Sequence, residues 1–279
     1  MADSEEEEQN VMYREFQWLL KEEVQSVLSE AQSILTECCR RFAVQNINYG
    51  DEENLVQPEK FLLSSSNGSS NVKCMVTLMA DSICEADISL KIHKQPSIGV
   101  KSAIQPNEPW RLHQIQDAGN YLCNALLHIC EKDKDHTFKS GSEILTLLDE
   151  VIRLLTLSRS SLVVPKRKTL EELVHNRYMK TLNPPVPHDT VLSFYVQAQK
   201  LILAVYQLTL NQNQRYDIGA RYQVECAVPW LNETIVLFTL ALQLCQQLRD
   251  KVKVFIREDL HPTSPKCDRQ TSACCANSS

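Results

Sequence analysis

Residues 11–44, VMYREFQWLLKEEVQSVLSEAQSILTECCRRFAV, set the helical character of this chain. The stretch contains no glycine or proline, and its apolar residues recur at intervals of three or four, which places them on one face of a helix. At about 1.5 Å per residue, the helix would be roughly 50 Å long and would need long partner helices. Its apolar face comprises Phe16, Leu20, Val24, Val27, Ala31, Ile34, Cys38 and Phe42.

Helical spacing of apolar residues returns in the second half of the chain. It predicts helices at about 111–131, 142–163, 189–210 and 229–256, the last with Pro229 in its first turn. The helix at 142–163 is apolar on most sides, which favours a central place in a bundle. Gly119 lies inside a helix face, where a small residue permits close approach of a second helix.

Between these helices the apolar residues alternate with polar ones. Runs of period two at 72–78, 86–92 and 98–104 predict a small antiparallel sheet with one solvated face. Leu62 belongs to a further edge strand, and 222–226 to another strand.

The predicted fold class is α+β: an elongated antiparallel helical bundle, with long N- and C-terminal helices, joined to a small antiparallel β-sheet domain. Residues 1–10 form a disordered acidic start. The bundle comprises 11–46, 111–165, 189–210 and 229–256. The β domain comprises 47–110, with contributions from 166–188 and 211–228, and 257–279 form a disordered tail.

The composition argues against nucleotide and nucleic-acid binding. The 279 residues include only 6 glycines, against about 20 at the usual frequency of roughly 7%. Glycine is the residue that lets a backbone approach a phosphate, so few phosphate-binding loops can be built. The net charge of −6 lacks the basic footprint of a nucleic-acid binder, and Lys166-Arg167-Lys168 is interpreted as loop charge.

No catalytic or metal-binding motif is present. GxGxxG, GxxxxGK[ST], HExxH, GxSxG and CxxC are all missing, so we expect no cofactor, no metal and no enzyme activity. On a helix, Cys123 and Cys130 share a face from which His128 is turned away, so core packing is favoured over metal binding. An enzyme whose site is assembled from distant residues is a further interpretation that no residue pattern supports.

The eleven cysteines suggest an intracellular protein with reduced thiols. The acidic N-terminus does not resemble a signal peptide, and the longest apolar run is about eight residues, against about 20 for a membrane span. We therefore expect a soluble chain in which most cysteines act as small core residues.

Three leucines, Leu148, Leu155 and Leu162, recur at heptad spacing. A DNA-binding zipper needs a basic helix directly before the leucines, whereas the preceding stretch mixes lysines with acids. Burial in the core of the bundle is therefore favoured. A homodimer through this helix, or a leucine-zipper nuclear or transcriptional regulator, is the alternative.

Three longer motifs resemble one known family. They are FQWLL at 16–20, WRLHQIQDA at 110–118 with Asn120, and VECAVPWLN at 224–232 followed by QLCQQL at 243–248. In this order, on a chain of this length, they resemble the Rogdi family, whose members carry a leucine-zipper label.

The resemblance implies a function through assembly. It implies a non-catalytic subunit of a rabconnectin/RAVE-type complex, which promotes joining of the peripheral and membrane sectors of the vacuolar proton-ATPase. The implied partners are large WD-repeat rabconnectin subunits and peripheral-sector ATPase subunits, with no nucleic acid and only indirect membrane contact. The implied location is cytoplasmic, with nuclear-envelope and synaptic-vesicle association, in neurons.

The residues predicted to form the partner surface lie in these same motifs. For each of them the alternative is a structural role, such as packing of Trp230 where a strand meets the bundle, or pairing of Glu225 and Asn232 with helix-end amides. The set comprises Trp110, Gln114, Gln116, Asp117, Asn120, Glu225, Trp230 and Asn232.

Overall fold

A long N-terminal helical segment opens the chain. The computed structural model describes residues 2–42, 57–65, 71–92, 98–132, 136–212 and 215–257. Helix α1 (Ala2–Trp18) passes through a π-helical turn (Leu19–Glu23) into α2 (Val24–Cys39). The helix predicted at 11–44 is confirmed as far as Cys39. The prediction that residues 1–10 are disordered is wrong, because helix α1 begins at Ala2.

Three further long helices complete a bundle: α3 (His113–Cys130), α4 (Gly141–Val163) and α6 (Pro229–Arg257). All three were predicted from their apolar spacing. Phe16 stacks on Phe255 at 5.5 Å, and Phe42 packs on Phe238, so the first and last helices run antiparallel. Helix α3 lies beside α2 and α4, and α4 lies beside α6.

The first sheet is inserted between α2 and α3. Its strands are β1 (Glu59–Leu63), β2 (Val72–Met79), β3 (Ser82–Ile92), β4 (Ile98–Ile104) and β5 (Trp110–Arg111). They pair antiparallel in the order β1-β2-β3-β4, with β5 also paired to β3. In β2 the even residues are buried and the odd ones point outward, as predicted for a sheet with one solvated face.

The second sheet is inserted between α4 and α6. It consists of β6 (Thr190–Gln197), β7 (Lys200–Leu210) and β8 (Tyr216–Ala227), paired in that order. The helix predicted at 189–210 is therefore wrong. Strands β6 and β7 are buried on both faces, so their sequence is almost continuously apolar and also satisfies helical spacing.

Each face of β6 and β7 has its own cover. Leu192, Leu203 and Val205 join the main core, which extends through the bundle and the first sheet. On the opposite face, Val191 and Ile202 pack under helix α5 (Leu170–Val174) and a 3-10 turn (Arg177–Thr181). Thr169 and Glu172 form a capping box at the start of α5.

Both sheets lie at the same end of the bundle, where α2 and α4 end and α3 and α6 begin. They are joined by a pair of backbone hydrogen bonds between Ser64 and Glu225, of 3.0 and 2.9 Å. The predicted fold class is corrected accordingly. The fold is mixed helix and sheet with two antiparallel sheets, not an elongated bundle with one small β domain.

Several smaller predictions can be compared with this structure. Leu148, Leu155 and Leu162 are fully buried in the bundle, as the core interpretation of the heptad requires. At Gly119 an added Cβ would lie 3.3 Å from the side chain of Phe42, in the turn that follows α2, so the small residue makes room for this ring. Apart from Arg257, the last residue of α6, the predicted disordered tail lies outside the described residues.

Candidate functional site

Trp110, in the first sheet, is buried and packs against the second sheet. It presents only 3% of its surface, and its indole Nε1 donates a hydrogen bond of 2.9 Å to Thr181 Oγ1. The ring stacks on Tyr178 at 5.4 Å and meets the edge of Phe194 at 5.7 Å. These contacts assign Trp110 a structural role, which was the alternative for each predicted residue.

Gln114 is also buried, with 4% of its surface exposed. Its Nε2 shares its two N–H donors among the carbonyl oxygens of Ser161 (2.9 Å), Val164 (3.0 Å) and Val196 (2.9 Å), and its Oε1 accepts from the Val196 N–H at 2.9 Å. One side chain thus joins the end of α4 to the outer edge of β6. The motif residues Trp110 and Gln114 hold the bundle and the second sheet together.

Three predicted residues further along α3 are closer to solvent. Asp117 makes an ion pair of 2.7 Å with Lys166, and Gln116 lies 3.3 Å from the ring nitrogen of His113. Asn120 is exposed. These residues border the start of α3 on its accessible side.

The remaining three lie where β8 passes into α6. Trp230 is buried and meets the edge of the Phe42 ring at 5.9 Å, as the packing alternative expects. The carboxylate of Glu225 accepts hydrogen bonds from Lys200 (2.6 Å) and Gln223 (3.4 Å) rather than from helix-end amides. Asn232 is exposed. The eight residues therefore form two groups, one at the start of α3 and one at the start of α6.

An apolar group on the β7–β8 hairpin was not predicted from the sequence. Leu210, Tyr216 and Ile218 expose 64, 42 and 48% of their surfaces. Leu210 is directly opposite Tyr216, and Leu208 is opposite Ile218, so all four share one face of the sheet. Leu208 belongs to the cluster under α5, and the other three extend that face beyond its cover. The polar loop between two apolar runs was the sequence signal for this hairpin.

Among the residues that the structure describes, the outer edge of β8 is unpaired along most of its length. Its inner edge pairs with β7, and the bridge to Ser64 occupies the outer edge only at Glu225. Within the part of the chain that the structure describes, no strand pairs with that edge between Tyr216 and Gln223. An unpaired edge beside exposed apolar side chains can accept a strand from another protein.

Several buried thiols are held in their neutral form at neutral pH. Burial raises the pKa of Cys38 to about 12 and that of Cys245 to about 11. A hydrogen bond with the Cys123 thiol, together with burial, raises the pKa of Cys39. Among the described residues, no group of three His, Cys, Asp or Glu side chains is placed to hold a metal ion.

No helix within the described ranges combines the length and apolar character needed to cross a bilayer.

Comparison with known proteins identifies the family. A family model described as "Rogdi leucine zipper containing protein" matches residues 15–221. "Protein rogdi" of Drosophila melanogaster is 42% identical over 256 residues, covering 91% of this chain and 92% of the fly protein. "Protein rogdi homolog" is 36% identical in Danio rerio (91% and 97% covered) and 34% identical in Homo sapiens (89% and 93% covered). None of these names denotes an enzyme. The chain therefore belongs to the Rogdi leucine zipper family.

Proposed function

We propose that this protein is a non-catalytic interaction subunit of a rabconnectin/RAVE-type complex that promotes assembly of the vacuolar proton-ATPase and thereby acidification of vesicles. The observation that carries an interaction role is the open edge of β8 beside Leu210, Tyr216 and Ile218. The choice of complex rests on the resemblance to the Rogdi family.

The hairpin is suited to binding another protein through strand addition. Antiparallel β7 and β8 are long, at 11 and 12 residues, so the hairpin reaches beyond the cover of α5. An added strand would satisfy the outward backbone groups of β8, and its side chains would cover the apolar group. A Cβ at Gly219 would lie 2.7 Å from Thr209 Cγ2, so glycine permits the close approach of the two strands at their register shift.

The proposed partner is a large WD-repeat rabconnectin subunit, whose propeller blades are themselves built from short antiparallel strands. Peripheral-sector ATPase subunits would be contacted in the same assembly. We also propose that the protein is cytoplasmic and that part of it associates with synaptic vesicles and the nuclear envelope.

The test is affinity purification of the tagged full chain from neuronal cells, followed by mass spectrometry. The double variant Leu210→Asp/Ile218→Asp should reduce recovery of the WD-repeat subunits by about 30-fold, since loss of a central apolar contact costs about 2 kcal/mol. Val236→Asp/Leu240→Asp is the matched control, because these two residues, 50 and 45% exposed, lie on a different element, α6, and add the same charge.

Two results would overturn the proposal. If the wild-type chain recovers neither WD-repeat subunits nor peripheral-sector subunits above a tag-only background, the assignment to this complex is wrong. If the hairpin variant recovers them as well as the control does, the hairpin is not the binding surface.

A further inference from the structure

A basic cleft lies between the start of α3, residues 165–168 and the edge of β6. It encloses about 210 Å³. Four of its lining residues are Lys or Arg, one is His113, and Glu172 contributes the only carboxylate among those lining residues. The cleft is therefore positively charged, whereas the whole chain has a net charge of −6. The basic residues are Arg111, Lys166, Arg167 and Lys168.

The acidic groups near the cleft are already engaged. Asp117 pairs with Lys166 at 2.7 Å, and Glu172 accepts the Thr169 N–H at 2.7 Å in the capping box. Within the described residues, Arg111, Arg167 and Lys168 make no ion pair with a carboxylate. Burial lowers the pKa of the Lys168 ammonium; the Glu172 carboxylate opposes this shift, and Arg177 adds to it.

The first turn of α3 adds to the positive potential. His113 and Gln114, the first two residues of this 18-residue helix, line the cleft. The N-cap is Leu112, which makes no side-chain capping bond, and the first turn contains no acidic residue. The amides at such a helix start carry the positive end of the helix dipole, which favours an anion.

An unsatisfied hydroxyl gives independent evidence for a ligand. Ser193 lines the cleft with only 2% of its surface exposed, and its Oγ is the one buried side-chain nitrogen or oxygen of the described residues without a hydrogen-bond partner. A buried hydroxyl without a hydrogen-bond partner costs about 1–3 kcal/mol, so a ligand that accepts its hydrogen bond would stabilise the site. A phosphate oxygen that reached this hydroxyl from the cleft would accept a hydrogen bond from it.

We propose that this cleft binds a small polyphosphorylated ligand of the inositol-phosphate class, either free in solution or as the headgroup of a membrane lipid. Arg111 and Arg167, which make no ion pair with a carboxylate among the described residues, together with Lys168 and a helix start, match a ligand with at least two phosphate groups, each carrying a charge of about −1.5 to −2. The cleft can hold one substituted ring, but it is too small to enclose a large polymer. Lys166 and Arg167 are exposed at the rim beside Val164, whose side chain is 57% exposed, as a site on a membrane surface requires.

The direct test is calorimetric titration of the purified full chain with inositol 1,4,5-trisphosphate in about 0.1 M salt. Arg167→Gln/Lys168→Gln should weaken binding by at least about tenfold, because each charged hydrogen bond is worth about 1.5–3 kcal/mol. Lys73→Gln/Lys101→Gln is the matched control. It removes the same charge from exposed lysines on the outer face of the first sheet and should bind as the wild type does.

Ser193→Ala separates a ligand role from a structural one. Removing an unsatisfied buried hydroxyl should leave the unliganded protein as stable as the wild type, or more stable. The same change should weaken trisphosphate binding by about fivefold, because a neutral donor to a phosphate is lost. A purely structural serine would leave the affinity unchanged.

Sedimentation with vesicles distinguishes the two sources of the ligand. Phosphatidylcholine vesicles containing about 5% phosphatidylinositol 4,5-bisphosphate are compared with vesicles brought to the same charge with phosphatidylserine. Binding to the phosphoinositide vesicles alone assigns a lipid headgroup. Binding of soluble trisphosphate without vesicle binding assigns a free ligand, and both results support the proposal.

The proposal is overturned by absence of binding to both the trisphosphate and the phosphoinositide vesicles. It is also overturned if the two double variants behave alike, or if inorganic phosphate or a phosphoserine peptide binds more tightly than the trisphosphate. None of these results depends on recovery of WD-repeat subunits, so the complex and the cleft are tested separately.

Discussion

Gln114 and Val196 form a reciprocal pair of hydrogen bonds, in which the amide Nε2 donates to the Val196 carbonyl and the Val196 N–H donates to Oε1, both at 2.9 Å. A side chain of α3 thereby occupies the place of a neighbouring strand at the edge of β6. The same Nε2 reaches Ser161 and Val164, whose carbonyls at the end of α4 have no partner within the helix. One amide group thus connects α3, the end of α4 and the second sheet.

Replacing this amide should destabilise the fold. Gln114→Leu keeps the volume but leaves buried backbone groups of Val196 and the end of α4 without their partner. We expect the free energy of unfolding, measured by urea denaturation, to fall by about 2–4 kcal/mol. Gln116→Leu, two residues away and closer to solvent, should change it by less than about 0.5 kcal/mol. Equal losses for both variants would show that the four hydrogen bonds contribute little.

The indole bond of Trp110 can be measured separately from its ring packing. Trp110→Phe retains stacking on Tyr178 but loses the donor to Thr181, and Thr181→Val loses the acceptor. A double-mutant cycle should give a coupling energy of about 1 kcal/mol between the two residues. A coupling near zero would mean that Trp110 acts through packing alone.

The heptad leucines should stabilise the single chain rather than a dimer. Leu155 is fully buried in the bundle, so Leu155→Ala should lower the free energy of unfolding by about 2–5 kcal/mol through loss of contacts and creation of a cavity. The unfolding midpoint should be independent of protein concentration in both the wild type and the variant. A midpoint that rises with concentration in the wild type alone would instead favour a zipper between two copies.

The helices could be predicted from the sequence, because each buries one face or, for α4, most of its surface, and the apolar spacing records this directly. The first sheet was predictable for the equivalent reason, since one of its faces is solvated and period two is visible. Strands β6 and β7 were not, because cover on both faces removes the alternation that marks a strand. A long apolar run then fits either structure.

The roles of single residues were even less visible. The motif containing Gln114 was recognised, but a glutamine on a helix does not indicate that it pairs with the edge of a strand 82 positions away. Lys166-Arg167-Lys168 was interpreted as loop charge, because the sequence does not show that Arg111 and the start of α3 face the same cleft. Such contacts are properties of the tertiary fold.

Stability should depend on acid pH through Glu143 at the start of α4. The Lys139 N–H and the His136 side chain bond to its carboxylate and hold the pKa of Glu143 below its usual range. A folded pKa below the unfolded value of about 4.3 means that the carboxylate stabilises the fold above that pH. The contribution is lost as the pH falls through the lowered folded pKa.

Glu143→Gln should therefore lower the free energy of unfolding by about 1 kcal/mol near pH 7. The difference from the wild type should shrink below about pH 4 and disappear once the folded carboxylate is protonated, when both proteins carry a neutral side chain. Urea denaturation at pH 7 and below pH 4 measures this difference. Glu15→Gln, at an exposed position on α1, serves as the control. A difference that grows as the pH falls would contradict the assigned cause.

The scarcity of glycine hid a hairpin turn, and this makes one further variant informative. The turn between β6 and β7 places Ala198 at a φ of 54°, where its Cβ is strained and glycine is the usual residue. Without glycine or asparagine at that point, the sequence carried no turn signal, and the helix interpretation ran through it. Ala198→Gly should raise the free energy of unfolding by about 0.5–1 kcal/mol, since relief of strain exceeds the added entropy of the unfolded chain. Ala220→Gly within β8 is the matched control and should lower it by a similar amount, because glycine only adds disorder there. If both variants lost stability, Ala198 would carry no strain in the folded protein.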